Sequence, residues 1–484
     1  MPDDIARWLT EHARPLGTLT PGAPHDDLEP LGDALRDVRI VGLGESTHGT
    51  REFLQLKHRI VEFLVREAGF TTLALEAGAS ATRALDAYVR HGTGDPTRLI
   101  TRLGFWTWRT EEMLDLVQWL RTHNRDLPED RQVRLVGMDP QRCTDSLEAL
   151  ATYLHQVAPE QAENVRELEP LAQAHPAAHP DPHQALLHRA EALAAFLEAH
   201  HEEFARHTTP KTADEALEHA RILTRAADLV TRSPGPPSGD NSVFAARDRY
   251  MADAVTRLLD DEPAARVIVW AHNGHLAKGT YGDGVPALGS RLRDRYGDDY
   301  YALALLFGKG TFLARRSHHL HAPPRRTRIG TGTRSLEARL AATLPGNYYI
   351  NLRTNAPSPQ ATPWLHTPHT QRSFGAAVPR FTYRFHVAPP HPGRRLRRHS
   401  LRRPLELLPA PAGGGCERRR SGRGGWRAPH GPVAPRVSPG AGVLPPDNDR
   451  RQNASTGRLP WQGGPSAQES STAATDSIST SWSL

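Results

Sequence analysis

Four short apolar runs punctuate the first 270 residues, and each closes on polar side chains. Val38-Arg39-Ile40-Val41-Gly42-Leu43 opens into Gly44-Glu45-Ser46-Thr47-His48-Gly49, and Thr72-Leu73-Ala74-Leu75 ends on Glu76. Val133-Arg134-Leu135-Val136-Gly137 leads to Asp139, and Val267-Ile268-Val269-Trp270 delivers Ala271-His272-Asn273-Gly274-His275. Runs this short and continuous read as strands buried on both faces. Between them the apolar residues recur at helical spacing. Phe53, Leu56, Ile60, Phe63 and Leu64 form one stripe after Thr50, closed by Gly69. Ala84, Leu85, Tyr88 and Val89 form a second after Ser80; Met113, Leu114, Val117, Trp119 and Leu120 form a third after Thr110. Thr50, Ser80 and Thr110 are the expected N-caps. A further strand is expected at 300–306 and a short helix at 5–13, ended by Pro15 and Gly17. This rhythm predicts the α/β class, with a mostly parallel sheet flanked by helices.

The rhythm lapses between 142 and 233, where Ala, Leu, Glu and His dominate. Helices are expected near 144–157, 184–204 and 213–232, with no strand. The region reads as an inserted helical subdomain, 142–235, placed as a lid over the sheet edge and left through Pro234-Gly235-Pro236-Pro237. A helix near 243–260 returns the chain to the strand at 266–271. From about 387 the sequence turns rich in Arg, Pro, Gly and Ser, with too little apolar content to bury a core. The expected division is a catalytic domain over 1–386 and a disordered basic tail over 387–484.

Charge changes meaning once it is located. The formal net charge is +6, but 387–484 holds 15 arginines or lysines against 6 acids, leaving 45 against 48 in the remainder. The folding part is therefore near neutral, and no nucleic-acid partner is expected for it. The two cysteines, Cys143 and Cys416, fall on opposite sides of the expected boundary, so a structural disulfide is not expected and a reducing cytoplasm is. No signal-length apolar core opens the chain, and no run reaches the roughly 18 apolar residues of a membrane span.

In an open α/β sheet, ligands sit beyond the carboxyl ends of the strands. That edge would collect Glu45, His48, Glu76, Asp139, His272 and His275. His48, in a Gly-flanked strand-to-helix turn, is placed to act as a general base. Glu45 and Glu76 can orient an imidazole and stabilise its cation. His272 and His275 suit a metal, an oxyanion-stabilising pair or a proton donor, and their spacing leaves these open. There is no Gly-x-Ser-x-Gly elbow, so a serine-hydrolase mechanism lacks its signature and Ser46 stays a minor candidate. Cys143 reads as a small apolar residue. Gly42, Gly44 and Gly49 do not make a phosphate loop. His175, His179, His183 and His188 lie among prolines, as a solvated loop would.

Together these motifs resemble the erythromycin esterase family of macrolide-hydrolysing enzymes. The resemblance covers roughly 5–385. It rests on Gly44-Glu45-Ser46-Thr47-His48-Gly49 with Glu52-Phe53, Leu75-Glu76, Trp106-x-Trp108-x-Thr110-x-Glu112 and Trp119-Leu120-Arg121 with Asn124. Gly137-Met138-Asp139, Arg247-Asp248 and Trp270-Ala271-His272-Asn273-Gly274-His275 complete it. What it implies is opening of a macrolactone by water, without an acyl-enzyme and without a metal, and hence antibiotic inactivation. His48 matches the general base, with Glu45 and Glu76 beside it, and His272 and His275 match a second histidine pair. Lys57, Trp106, Trp108 and Arg247 are the expected substrate contacts. The partner is then a macrolide or another small ester; oligomeric state is not legible. No cofactor is implied, although Glu45, His48, Glu76, His272 and His275 could ligate a metal in a metallohydrolase. A non-hydrolytic binding or biosynthetic relative is the third reading.

The carboxyl-terminal part departs from the family. Ser373-Phe374-Gly375-Ala376 and Tyr383-Arg384-Phe385-His386-Val387 read as the approach to a last strand. The family's acidic, proline-containing ending is then replaced by the basic tail. A frameshift near residue 385 is expected, since high-GC coding DNA read out of frame yields this mixture; a genuine tail that binds polyanions is the competing expectation. A frameshift would cost the fold its terminal strand.

Overall fold

The computed structural model describes residues 3–353 except 235–241, 282–283 and 331–334, and beyond them 363–364, 369, 371–379, 387–388 and 406–410. Five parallel strands make the central sheet: β1 Ile40–Leu43, β2 Thr72–Gly78, β3 Arg134–Asp139, β4 Val267–Trp270 and β5 Tyr300–Phe307. They lie in the order β5-β1-β4-β2-β3, so β4 slots between β1 and β2. Every residue of β1, β4 and β5 is buried, because helices cover both faces. Strand period sorts the side chains: Val41, Leu43, Leu73, Leu75, Ile268 and Trp270 join one core, Ile40, Ala74, Val267 and Val269 the other.

The helices used below are α1 Arg51–Ala68, α2 Ala79–His91, α3 Glu111–Asn124, α4 Thr144–Val157, α5 Ala185–Ala199, α6 His201–His207, α7 Pro210–Thr231, α8 Val243–Asp261 and α9 Leu288–Tyr296. α1 packs its stripe on the first core and stops at Gly69, whose φ of 68° suits glycine. α8 and α9 line the second core through Met251, Val255, Leu288 and Leu292. Of the three expected caps, only Thr110 acts as one, accepting from the Met113 N–H at 3.1 Å. Thr50 turns its hydroxyl to Thr47 Oγ1 at 2.9 Å. Ser80 lies inside α2, and its hydroxyl accepts from the Ser146 N–H at 2.6 Å, tying the sheet-flanking helix to the helical insert.

Helices α4 to α7 share their own apolar core, with Leu147, Leu150, Leu154, Leu193, Leu197, Leu223 and Val230. The helix expected over 184–204 is two helices, α5 and α6, broken at His200. Two strands absent from the sequence reading follow β5. β6 Gly310–Arg316 and β7 Arg325–Ile329 pair antiparallel, and β6 hides its alternation because only Phe312 and Ala314 are buried. Within the segment expected to be disordered, β8 Glu406–Ala410 runs parallel beside β5 at the edge of the sheet. Val387–Ala388 pairs with Gln371–Arg372. The rest of 387–484, with Cys416, lies outside the described residues. Among the described residues no helix is long and apolar enough to cross a membrane.

Candidate functional site

Register brings the polar strand ends level. Leu43 and Leu75 both stand opposite Trp270, and Leu75 also stands opposite Gly137. Glu45, Glu76, Asp139 and His272 therefore leave the sheet at one edge, beside the point where β4 separates β1 from β2. The loops after β1 and β4 are zipped together there. The Asn273 N–H donates to the Glu45 carbonyl at 2.9 Å, and a Cβ on Gly44 would lie 2.1 Å from Asn273 Oδ1. Gly49 is as crowded: a Cβ would lie 2.0 Å from the carbonyl oxygen of Leu313 on β6.

Glu45 holds two cations or potential cations. Its Oε1 is 2.7 Å from His48 Nδ1, and its Oε2 accepts from Lys57 Nζ at 2.7 Å. Burial opposes the Glu45 charge, yet Lys57 and His48 hold its carboxyl below the usual range. Lys57 comes from α1 and is fully buried; burial draws its ammonium down to about 8, against the pull of Glu45. The ammonium stands 4.6 Å above the Trp270 ring, and Trp108 meets that ring edge-on at 6.2 Å.

A second network joins β2, β3, β4 and α8. Arg247 Nη2 is 2.8 Å from Glu76 Oε1 and 2.7 Å from Asp139 Oδ2, and Nε reaches the same Asp139 oxygen at 3.1 Å. Gln141 Nε2 donates to both Asp139 oxygens, at 3.0 and 2.8 Å. His275 Nδ1 donates to Asp248, its Nε2 lies 3.2 Å from Glu76 Oε1, and Glu76 Oε2 accepts the His272 backbone N–H at 2.9 Å. Arg247 Nη1 also sits 2.9 Å from His275 Nε2, where a neutral ring would accept and a cationic ring would be repelled. Charge balance decides for the cation. Among the described residues the ring lies between two carboxylates, Asp248 at Nδ1 and Glu76 at Nε2, and uncompensated buried charge is expensive. Burial works against the charged ring, but Asp248 and Glu76 outweigh it and push His275 up to about 10. Burial likewise opposes the Glu76 charge, while His275 and Arg247 hold that carboxyl well below the usual range.

His272 is different. Its Nδ1 accepts from the Gly274 N–H at 3.1 Å, which leaves the ring proton on Nε2. Burial, then the nearness of His48, lowers it to about 3, so the ring is neutral. Its centroid lies 5.2 Å from that of His48, the more exposed of the two.

Of the expected site residues, His48, Glu45, Glu76, His272, His275, Lys57 and Arg247 come together. Arg247, expected to contact substrate, is committed to Glu76 and Asp139. Trp108 is 4% exposed and supports Trp270 from within the core. Trp106 is half-buried on the one-turn helix Trp106–Trp108. Sequence reasoning gives no role to Asp248 or Gln141, and it places Asp139 at the ligand-facing edge without assigning it one. Asp248 carries the one available signal, adjacency to Arg247 on α8. Ser46 Oγ is buried without a hydrogen-bond partner among the described residues, unlike an activated nucleophile. Cys143 donates to the Pro140 carbonyl, and burial pushes its thiol up.

The carboxylates do not fit a metal. Glu45 and Glu76 have both oxygens turned to N–H donors, and no three His, Cys, Asp or Glu among the described residues are grouped to hold an ion.

A family model described as Erythromycin esterase matches residues 65–396. The putative hydrolase YbfO of Bacillus subtilis is 27% identical, over 76% of this chain and 85% of that protein. The erythromycin esterase type II of Escherichia coli is 26% identical, over 62% and 76%. A crystal structure of a Bacillus cereus protein superposes with a TM-score of 0.66 at 26% identity, covering 84% of this chain and 96% of that one. These names point to hydrolase activity.

Proposed function

The chain belongs to the erythromycin esterase family, and from this premise we propose that it hydrolyses an ester, opening a macrolactone ring with water activated by His48. The observation that carries this reading is the pairing of His48 with Glu45 at 2.7 Å, opposite a neutral His272. With Nδ1–H donated to Glu45, the basic atom of the half-buried His48 ring is Nε2. There it takes a proton from water as the hydroxide adds to the ester carbonyl. Glu45 stabilises the resulting imidazolium, and Lys57 fixes the carboxylate's other oxygen. His272 Nε2–H would donate to the oxyanion of the tetrahedral intermediate. When the ring C–O bond breaks, the His48 imidazolium returns its proton to the departing alkoxide. The products are a hydroxy acid and a regenerated base. His275 acts differently from the paired role expected of it: locked between Asp248 and Glu76, it is a positioning residue for the loop carrying His272.

The test is mass spectrometry of 14-membered macrolides incubated with chelator-treated protein, beside a His48→Ala control. Addition of one water, lost in the variant, is the expected result. Product only after a divalent metal is restored would move the assignment to a metallohydrolase. Intact macrolide under both conditions would end the macrolactone reading.

A further inference from the structure

Past Leu43 the ladder of β1 ends, and a single side chain takes over its place between the two neighbouring strands. Leu43 stands opposite Trp270 of β4 and Leu303 of β5. One residue on, the Gly44 N–H still donates to the Leu303 carbonyl at 2.7 Å. In a parallel ladder alternate residues turn their backbone groups to the same neighbour, so Leu305 points toward a position that β1 no longer fills. Asn273 fills it, donating from Nδ2 to the Leu305 carbonyl at 3.0 Å. To get there from the loop after β4, the side chain must cross β1. It crosses at Gly44, which is why a Cβ there would come within 2.1 Å of Asn273 Oδ1. A buried carbonyl left without its donor is costly, and that cost holds the crossing in place. Asn273 is 4% exposed and opens the one-turn helix Asn273–Leu276, whose cap is His272.

The same residue grips the chain that carries the base. Its backbone N–H donates to the Glu45 carbonyl at 2.9 Å, and the Glu45 side chain reaches His48 Nδ1 and Lys57 Nζ, each at 2.7 Å. Asn273 also follows His272 directly, and the His272 ring centroid lies 5.2 Å from that of His48. We propose that Asn273 is a positioning residue of this site: it straps the loop after β4 across β1 to β5, and so fixes the Glu45–His48 pair against His272. The backbone bond to Glu45 is available to any residue but proline. What a shorter side chain removes is the anchor on β5, and with it the fixed approach of His272 to His48. An ångström of freedom there matters to a base and an oxyanion donor that must meet on one carbonyl. The effect on turnover rests on the ester-hydrolase reading; the strap itself does not.

The pair can be watched without any substrate. An imidazole N–H donated to a carboxylate gives a far-downfield proton resonance, because charge-assisted hydrogen bonds are short. The full chain should show two, one lost in His48→Ala and the other in Asp248→Asn. Asn273→Ala should shift or broaden the His48 resonance and leave that of His275 in place. With a 14-membered macrolide as substrate, it should lower kcat roughly tenfold to a hundredfold and leave KM within about twofold. Asn273→Ser keeps a hydroxyl but is too short to reach Leu305. It should behave alike, and it takes the place of the alanine variant if that one does not fold. A residue that matters for stability alone would lower the melting temperature and move neither the resonance nor kcat. In a folded variant, an unmoved His48 resonance would overturn the assignment, as would a kcat unchanged within about twofold. So would the absence of that resonance from the unaltered protein. A resonance that moves in a protein without ester turnover would sink the hydrolase reading and leave the strap standing; turnover indifferent to both substitutions would do the reverse.

Discussion

Glu45 serves two partners with its two oxygens, and the partners ask different things of it. His48 needs a fixed tautomer, while Lys57, buried under Trp270, needs a counter-charge. Lys57→Met should therefore destabilise the fold by about 3–5 kcal/mol in urea denaturation, because it strands a buried carboxylate. Adding Glu45→Gln should restore much of that stability while ester turnover stays at least roughly a hundredfold down. Recovery of turnover along with stability would remove Glu45 from the proton transfer. His275 makes a pH prediction. Its folded value, about 10, stands above the ordinary 6.5, so its contribution is fully present below pH 6.5 and is lost as pH rises through about 10. Thermal melts between about pH 7 and pH 11 should fall accordingly, and Asp248→Asn should shift the fall to lower pH. His272 has the opposite sign: held near 3, it contributes above pH 6.5 and ceases to as pH falls toward 3.

At the scale of elements, the site is a junction of loops that two glycines allow to touch. Gly49 has no room for a methyl group against the Leu313 carbonyl, so Gly49→Ala must push β6 away from the His48 loop. We expect turnover to fall roughly tenfold to a hundredfold, since an ångström of misplacement is costly to a reacting group; a kcat unchanged within twofold would mean that β6 does not position this loop. The helices and buried strands were legible because their period is set by burial on known faces. β6 and β7 were not, because one face of the hairpin is exposed and Arg315, Arg316, Arg325, Arg326 and Arg328 mask the alternation. Caps failed where a hydroxyl had a better partner: Ser80 meets the Ser146 N–H from a segment 66 residues away.

Across the whole molecule, the parallel sheet assembles groups from residue 45 to residue 275 on one edge, and the insert packs on its own core beside it. The tail bears on stability through β8. A chain ended after residue 410 should melt within about 2 °C of the full chain. One ended after 386 should lose a few kcal/mol with the ladder on β5, at about 1 kcal/mol per hydrogen bond. Equal melting of both would show that β8 adds nothing. Resequencing the gene separately tests the proposed frameshift near 385: a shifted frame should restore a conventional acidic ending.

Strand identity, the helical insert and the histidine and carboxylate set were written in the sequence, because apolar runs and their polar ends are local patterns that burial enforces. Which histidine faces which carboxylate was not. His272 and His275 are three residues apart, yet one is a neutral ring beside His48 and the other a cation locked between Asp248 and Glu76. That difference arises from α8 and β2, elements that enter from 27 and nearly 200 residues away. Protonation depends on desolvation and on charges brought close by packing, and only the tertiary structure decides those.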